Sequence, residues 1–312
     1  MSKLIEQTNA YKIVSGDLKR GTLSHAYLIV CADRDKAEEY AKSFAKAIQC
    51  ENGTGCGECR ACRLIEKNVY SDCTLYPESG DKILAGDVDD LLSRIAYKPI
   101  ENKTRVFLLA HAESMTAAAQ NKLLKTLEEP PANVCIVLVA ASDYTILPTV
   151  KSRVKRLDIP PFGEKALFDG LKDLMPDEEK LRRAIALSGG AEGKTEAYYA
   201  GDNADKNVAL CKRILSEMTR SSDVVKYVGL IDQNDMKGFV AAMRTEVFAL
   251  LKSVIQGSVE VTANGFTAGA LLGINDRLGD AEKALNFNSN AMMTADGILF
   301  GILEEKHRWQ KS

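Results

Sequence analysis

The sequence predicts an α/β fold built on a parallel sheet with flanking helices, continued by an all-helical region. Three observations carry that expectation. Two short apolar runs, Val106 to Ala110 and Val134 to Val139, have the length and branched residues of strands buried on both faces. Between them, Thr116 to Pro131 reads TAAAQNKLLKTLEEPP: a capping threonine, strong helix formers with Leu123, Leu124 and Leu127 at core spacing, and a double proline that stops the helix. Strand, helix and strand in that order make one crossover of a parallel sheet. From about Asn207 onward the apolar pattern is helical throughout.

Composition limits what such a fold can do. A chain of 312 residues is long enough for two or three domains with their own cores, and 46% hydrophobic with 27% charged residues describes an ordinary globular protein. A net charge of −2 argues against coating nucleic acid by bulk electrostatics, so DNA contact would need local basic patches or partners. No run reaches the roughly 18 apolar residues of a membrane span, and MSKLIEQTNAYK has charges where a signal peptide needs an apolar core. A cytoplasmic protein is expected. Its eight cysteines are then metal ligands or small buried residues rather than disulfides.

In chain order, residues 1–22 read as one amphipathic helix with Leu4, Ile5, Ile13, Val14 and Leu18 apolar, ending near Gly21. Ser24 to Val30 supplies the first buried strand. A cysteine module follows, CENGTGCGECRAC, with Cys50, Cys56, Cys59 and Cys62 separated by glycines that permit tight turns. Four thiolates so spaced can surround a tetrahedral zinc in a closed structural site, with Cys73 as an alternative fourth ligand. Cys31, Cys135 and Cys211 lie in apolar runs and read as core residues. Cys73 to Pro77 is strand-like, and Ala85 to Lys98 is helical with Val88, Leu91, Leu92 and Ile95 on one side. After the central crossover, Ser142-Asp143 ends the strand. Pro160-Pro161 marks a boundary, since proline excludes helix and stiffens the backbone. Helices follow at Glu164 to Leu174 and Asp177 to Leu187, closing at Ser188-Gly189-Gly190, with another after Gly193. Five more are expected at residues 208–218, 224–231, 237–255, 267–285 and 291–309, with breaks at Gly257-Ser258 and Asn286 to Asn290.

The segment QNKLLKTLEEPP, followed by ILPTVKSRV at Ile146 to Val154, resembles the clamp-loader branch of the AAA+ ATPases, and within it the delta-prime family of bacterial DNA polymerase III. The likeness covers roughly residues 1–200 with specific motifs. It implies a degenerate AAA+ α/β domain at 1–160, a helical lid at 161–206 and a helical collar at 207–312 that joins subunits. A nucleotide-binding member needs GxxxxGK[ST] after the first strand, because glycine lets backbone N–H groups wrap phosphates while lysine reaches the β/γ oxygens. Here the turn reads Cys31-Ala32-Asp33-Arg34-Asp35-Lys36-Ala37-Glu38, without glycine and with carboxylates where phosphates would sit. At the second strand of the site, Ala110 and His111 stand where the family has its metal-organising Asp and water-activating Glu, and Glu113, two residues further along, is expected to point elsewhere. His111 is a conceivable replacement base or an ordinary loop histidine. No bound ATP and no hydrolysis by this chain are therefore expected.

The same resemblance assigns further residues. Ser152-Arg153-Val154 matches the family's Ser-Arg-Cys motif except for valine at the last place, and implies that Arg153, with Ser152, is presented in trans to ATP on a neighbouring subunit. A guanidinium suits that role because it is permanently charged and forks onto phosphate oxygens. The alternative is that Arg153 is one charge in a basic run with Lys151, Lys155 and Arg156 that forms a solvated edge or touches DNA phosphates. Ser142 falls near a γ-phosphate sensor, where a turn cap explains it at least as well, and Lys194 near a second one, where an ordinary surface lysine explains it better. Small zinc modules after the first helix also belong to the family. The implied function is a non-hydrolysing loader subunit, part of a DNA-directed DNA polymerase holoenzyme without being an enzyme itself. Its partners would be tau/gamma and delta subunits and, through them, the sliding clamp and primed DNA. Two rivals are an ATP-hydrolysing subunit resembling tau/gamma and a zinc-dependent nucleic-acid-binding regulator.

Overall fold

The apolar runs of the first half become strands of a single sheet. In the computed structural model, which describes residues 3–78, 80, 82–201, 203–256, 265–286 and 290–310, five strands lie in the order β2-β3-β4-β1-β5, every neighbouring pair parallel. The chain begins with helices α1 (Lys3–Gln7) and α2 (Asn9–Arg20), then β1 (Ala26–Cys31), α3 (Ala37–Gln49), α4 (Arg60–Glu66), β2 (Cys73–Tyr76) and α5 (Ala85–Arg94). It continues with β3 (Arg105–Leu109), α6 (Ala117–Glu128), β4 (Val134–Ala140), α7 (Pro148–Lys151), β5 (Lys155–Ile159) and α8 (Glu164–Leu171). The expected breaks at Gly257-Ser258 and within Asn286 to Asn290 fall largely outside the described residues.

Alternation along the strands feeds two cores. Tyr27, Ile29 and Cys31 of β1, Val106 and Leu108 of β3, and Cys135, Val137 and Val139 of β4 face a layer containing Tyr11, Tyr40 and Phe44. Ala26 and Leu28, Phe107 and Leu109, and Ile136 and Leu138 face the other layer, with Val88, Leu91, Leu123 and Leu127 from α5 and α6. A strand with helices on both sides has no wet face, which is why these segments are continuously apolar. Cys31, Cys135 and Cys211 are buried core residues, as expected.

Three local readings are corrected. Residues 1–22 are two helices: Thr8 is extended, and its hydroxyl donates to the Ile5 carbonyl at 2.6 Å while accepting from the Tyr11 N–H at 3.2 Å, which ends one helix and caps the next. The helix expected to reach Lys98 stops at Arg94, leaving Tyr97 and Ile100 exposed. No strand is expected from the sequence after Ser152, yet Lys155–Ile159 pairs along β1 as an edge strand with Leu157 and Ile159 buried.

Contacts divide the chain into two compact units, Met1–Leu174 with Gly190–Gly193, and Met175–Gly189 with Lys194–Ser312. The segment 161–206 is shared between them: α8 belongs to the first, α9 (Glu178–Ser188) and most of α10 (Glu192–Ala200) to the second. The second unit adds α11 (Asn203–Glu217), α12 (Ser221–Val228), α13 (Met236–Ile255), α14 (Ala268–Asn286) and α15 (Ala291–Gln310), with Phe239, Met243, Leu271, Ile274 and Leu299 in its core. No helix among the described residues is long and apolar enough to cross a membrane.

Candidate functional site

β1 lies between β4 and β5, and the turn at its carboxyl end is where a nucleotide-binding relative would cradle phosphate. Here Arg34–Lys36 forms a short 3-10 turn and α3 starts at Ala37. Asp33 is buried, and its Oδ2 accepts the Gly193 N–H at 2.8 Å while Oδ1 has no hydrogen-bond partner. Burial pushes this carboxyl upward from its ordinary range, opposed by the Gly193 N–H and reinforced by the neighbouring charge of Asp35. A side chain at Gly193 would meet Asp33 Oδ1 at 2.9 Å and Asp35 Cβ at 3.0 Å, so glycine is what lets the two segments close. One turn into α3, Tyr40 donates to Glu192 Oε2 at 2.9 Å in buried surroundings. The turn is filled by the chain's own carboxylate.

At the end of β3, Ala110 is buried and His111 adopts a left-handed backbone with φ 59°. His111 Nδ1 has no hydrogen-bond partner and lies 4.0 Å from Glu113 Oε1. Glu113 does not point away from the site, as its position in the chain suggested. Its Oε1 receives Arg34 Nη1 at 3.0 Å and its Oε2 receives the Ala141 N–H at 3.1 Å, tying the β1 turn to the end of β4. Ser142 Oγ accepts the Tyr144 N–H at 3.2 Å, the arrangement of a turn cap.

The two motif segments meet on the surface. Gln120 of α6 is buried, donates through Nε2 to the carbonyls of Met115 (3.2 Å) and Thr145 (2.9 Å), and accepts the Leu147 N–H at 2.7 Å through Oε1. That side chain fixes the approach to α7. Arg153 follows α7, with Nη1 donating to the Thr149 carbonyl and to Ser152 Oγ, both at 3.0 Å, and Nη2 2.7 Å from Glu128 Oε1. Both charged residues line an open hollow of about 730 Å³ with His25, Leu127, Ser152, Val154 and Lys155. Lys155 is committed elsewhere, to Asp17 Oδ2 at 2.5 Å.

The cysteine module is a separate centre in the same unit. The sulfurs of Cys50, Cys56, Cys59 and Cys62 lie within 4.8 Å of one another, with Cys50 3.6 Å from Cys56 and 4.0 Å from Cys59. Zinc bonded to thiolates at about 2.3 Å requires sulfurs about 3.8 Å apart, so the four could hold a tetrahedral metal ion with little movement. Backbone N–H groups converge on them, from Cys56 to Cys50 Sγ at 3.4 Å, from Cys59 to Cys56 Sγ at 3.4 Å and from Cys62 to Cys59 Sγ at 3.5 Å. Burial opposes the Cys50 thiolate, but N–H donors from Cys56, Thr54 and Asn52 outweigh it and bring the thiol down to about 6. Cys62 is pushed upward, chiefly by burial. Gly53, Gly55 and Gly57 all have positive φ. At Gly55 a Cβ would stand 2.3 Å from the Tyr11 hydroxyl. Cys73 lies on β2, outside this group of four.

Residues 6–163, just over half of the chain, match the family model described as DNA polymerase III, delta subunit. The chain belongs to this DNA polymerase III subunit family. Among characterised relatives, the DNA polymerase III subunit delta' of Pseudomonas aeruginosa is 34% identical over 179 residues, 55% of each chain. That of Bacillus subtilis is 30% identical over 179 residues, covering 56% of this chain and 54% of its own. The subunit tau/gamma of Haemophilus influenzae is 28% identical over 259 residues, covering 81% of this chain and 37% of its own. The chain thus spans about half the length of the two delta' relatives. The matches to delta' proteins place it on the delta-prime side of the polymerase III subunits.

In this delta-prime family chain, Lys194 pairs with Glu282 at 3.9 Å, both half-exposed, as an ordinary surface lysine would. The sequence did not show the contacts that Gln120, Glu113 and Glu128 make. Gln120 stood inside the quoted motif, and a glutamine one turn into a capped helix is a signal for a buried bridge. Glu113 and Glu128 act through partners distant in the chain, which no local pattern announces.

Proposed function

We propose that this chain serves as a delta-prime-type subunit of a bacterial clamp loader that neither binds nor hydrolyses ATP, and that it supplies Arg153 to the ATP site of a neighbouring subunit. The observation that carries the reading is a combination within one unit: the β1 turn is filled by Asp33, while Arg153 stands at a surface hollow with Nη1 held by Thr149 and Ser152. A chain with an intact trans-acting group and a spent cis site has work to do only in an assembly. Its partners would be tau/gamma and delta subunits, and through them the sliding clamp and primed DNA, in the cytoplasm. Cys50, Cys56, Cys59 and Cys62 would hold a structural zinc, which has no open position for water and supplies cross-linking rather than chemistry. Functionally the chain would divide at 1–160, 161–206 and 207–312 into degenerate ATPase domain, lid and collar. The tau/gamma-like rival needs a phosphate cradle that the β1 turn lacks.

The test is a complex reconstituted with tau/gamma and delta subunits, comparing wild type, Arg153→Ala and Arg153→Lys in clamp-stimulated, DNA-dependent ATPase and in clamp loading. Arg153 is about one-third exposed in its side chain, so both variants should fold and assemble. Trans-acting arginines contribute on the order of 10³-fold at one site. Total ATPase should fall in part, because other sites continue, and loading should fall much further. Lysine should rescue poorly, since an ammonium cannot reproduce the fork. Undiminished loading by the alanine variant would return Arg153 to the role of a surface charge.

A further inference from the structure

We propose that Glu128 is the resting counter-ion of Arg153, holding the guanidinium in place until a phosphate oxygen of a neighbouring subunit's nucleotide displaces it. The inference rests on the trans-acting role given to Arg153 above.

Arg153 is held on two sides that differ in kind. Nη1 donates to the Thr149 carbonyl and Ser152 Oγ, both within its own α7 segment, whereas Nη2 reaches across to Glu128 Oε1 at 2.7 Å. The first set fixes the arginine to its helix, and the second is a charge pair that an incoming anion can replace. Side-chain exposures of 34% and 50% leave this pair wet enough to exchange. Glu128 is also the last residue of α6, with Glu129 as its cap, at the end of a helix where the carbonyl dipoles disfavour an acid. A carboxylate in that place draws in a cation, and among the described residues it pairs with Arg153. Lys155, on the same hollow, is engaged by Asp17. A phosphate that takes Nη2 of Arg153 from the hollow must displace Glu128, and the two anions compete for that nitrogen. A multiply charged phosphate wins this exchange against one carboxylate oxygen, because charge-assisted contacts scale with charge and fork geometry.

Glu128 thus lowers the apparent affinity of Arg153 for its target while keeping it pre-aimed. In the reconstituted complex, Glu128→Gln should lower the KM for ATP of the site that Arg153 serves with kcat retained, raising that site's kcat/KM by up to about fivefold, the ceiling for an exposed pair, and that of the whole complex by less. The double variant Glu128→Gln/Arg153→Ala should match Arg153→Ala alone. A purely structural change would not lower KM, and thermal melting of the isolated chain serves as the check on folding. If Arg153→Ala is impaired but Glu128→Gln equals or falls below wild type, the counter-ion role is overturned and the trans-acting role stands. If the double variant differs from Arg153→Ala, Glu128 acts through something other than Arg153 and the proposal is equally lost. If Arg153→Ala is unimpaired, both fall.

Discussion

A buried carboxylate with one unpartnered oxygen destabilises the state that contains it, and Asp33 is in that position. Its pKa is raised in the folded protein, foremost by burial, so the native state holds the proton more tightly than the unfolded chain does. The unfavourable contribution is fully present above the raised native value. It shrinks as pH falls through that value and is gone below the ordinary carboxylate range. Asp33→Asn keeps an acceptor for the Gly193 N–H and exchanges a charged orphan oxygen for a neutral amide. We expect the variant to be more stable at pH 7 by on the order of 1 kcal/mol, the usual cost of a buried polar atom without a partner, and to lose that advantage progressively as pH falls through about 4. Thermal melts at the two pH values are the measurement, with a shift of a few degrees expected at neutrality. A variant less stable at pH 7 would mean that the negative charge itself secures the start of α10.

At the scale of elements, the cysteine module sits at the margin of one core: α4 packs on α3 and adds Ala61 and Ile65, and Cys59 packs against the same core, but most of both cores comes from the strands and the other helices. Cys59→Ser, or chelation of the wild type, should release one zinc per chain and loosen residues 50–62 while the sheet stays folded. Zinc analysis with far-ultraviolet circular dichroism and a melting curve tests this, and protein purified without chelator that contains no stoichiometric zinc would refute it. Binding free energies at such sites reach about 10 kcal/mol or more, yet only the part linked to the fold of the module should appear in the melt. The cysteine cluster was legible in the sequence because four ligands fall within thirteen residues, and close spacing forces proximity. The central crossover was legible because strands buried on both faces must be continuously apolar. Edge strand β5 was not, since Lys155 and Arg156 hide an alternation that begins only at Leu157. The break at Thr8 turns on one hydroxyl that serves two helices at once. Arg153 was legible as a residue, but its setting was not, because Glu128 reaches it through the tertiary fold and Gln120 fixes the approach to its helix by bonds to Thr145 and Leu147.

At the scale of the whole molecule, the question is whether a chain of net charge −2 touches DNA by itself. The run Lys151, Arg153, Lys155 and Arg156 is where such contact would be sought, but every member has an acidic partner. Lys151 lies 3.6 Å from Asp143, Arg153 2.7 Å from Glu128, and Lys155 2.5 Å from Asp17. Arg156 reaches Asp143 at 2.7 Å and Asp158 at 2.9 Å. Asp17 is buried; burial pushes its carboxyl up, but hydrogen bonds from Lys155, Tyr27 and Arg20 outweigh that and hold it below the usual range, so Lys155 is the least available of the four. A DNA phosphate would have to displace these carboxylates one by one, and each exchange cancels most of the electrostatic gain that drives non-specific binding. We therefore expect the isolated chain to bind primed duplex DNA more weakly than about 10 µM at about 0.15 M salt, with a salt dependence much shallower than the slope of about −0.9 per phosphate contact of a true DNA-binding surface. Fluorescence anisotropy over a salt series measures both quantities. Low-micromolar affinity with a steep salt slope would favour the zinc-dependent nucleic-acid-binding reading over a subunit that meets DNA only through its assembly.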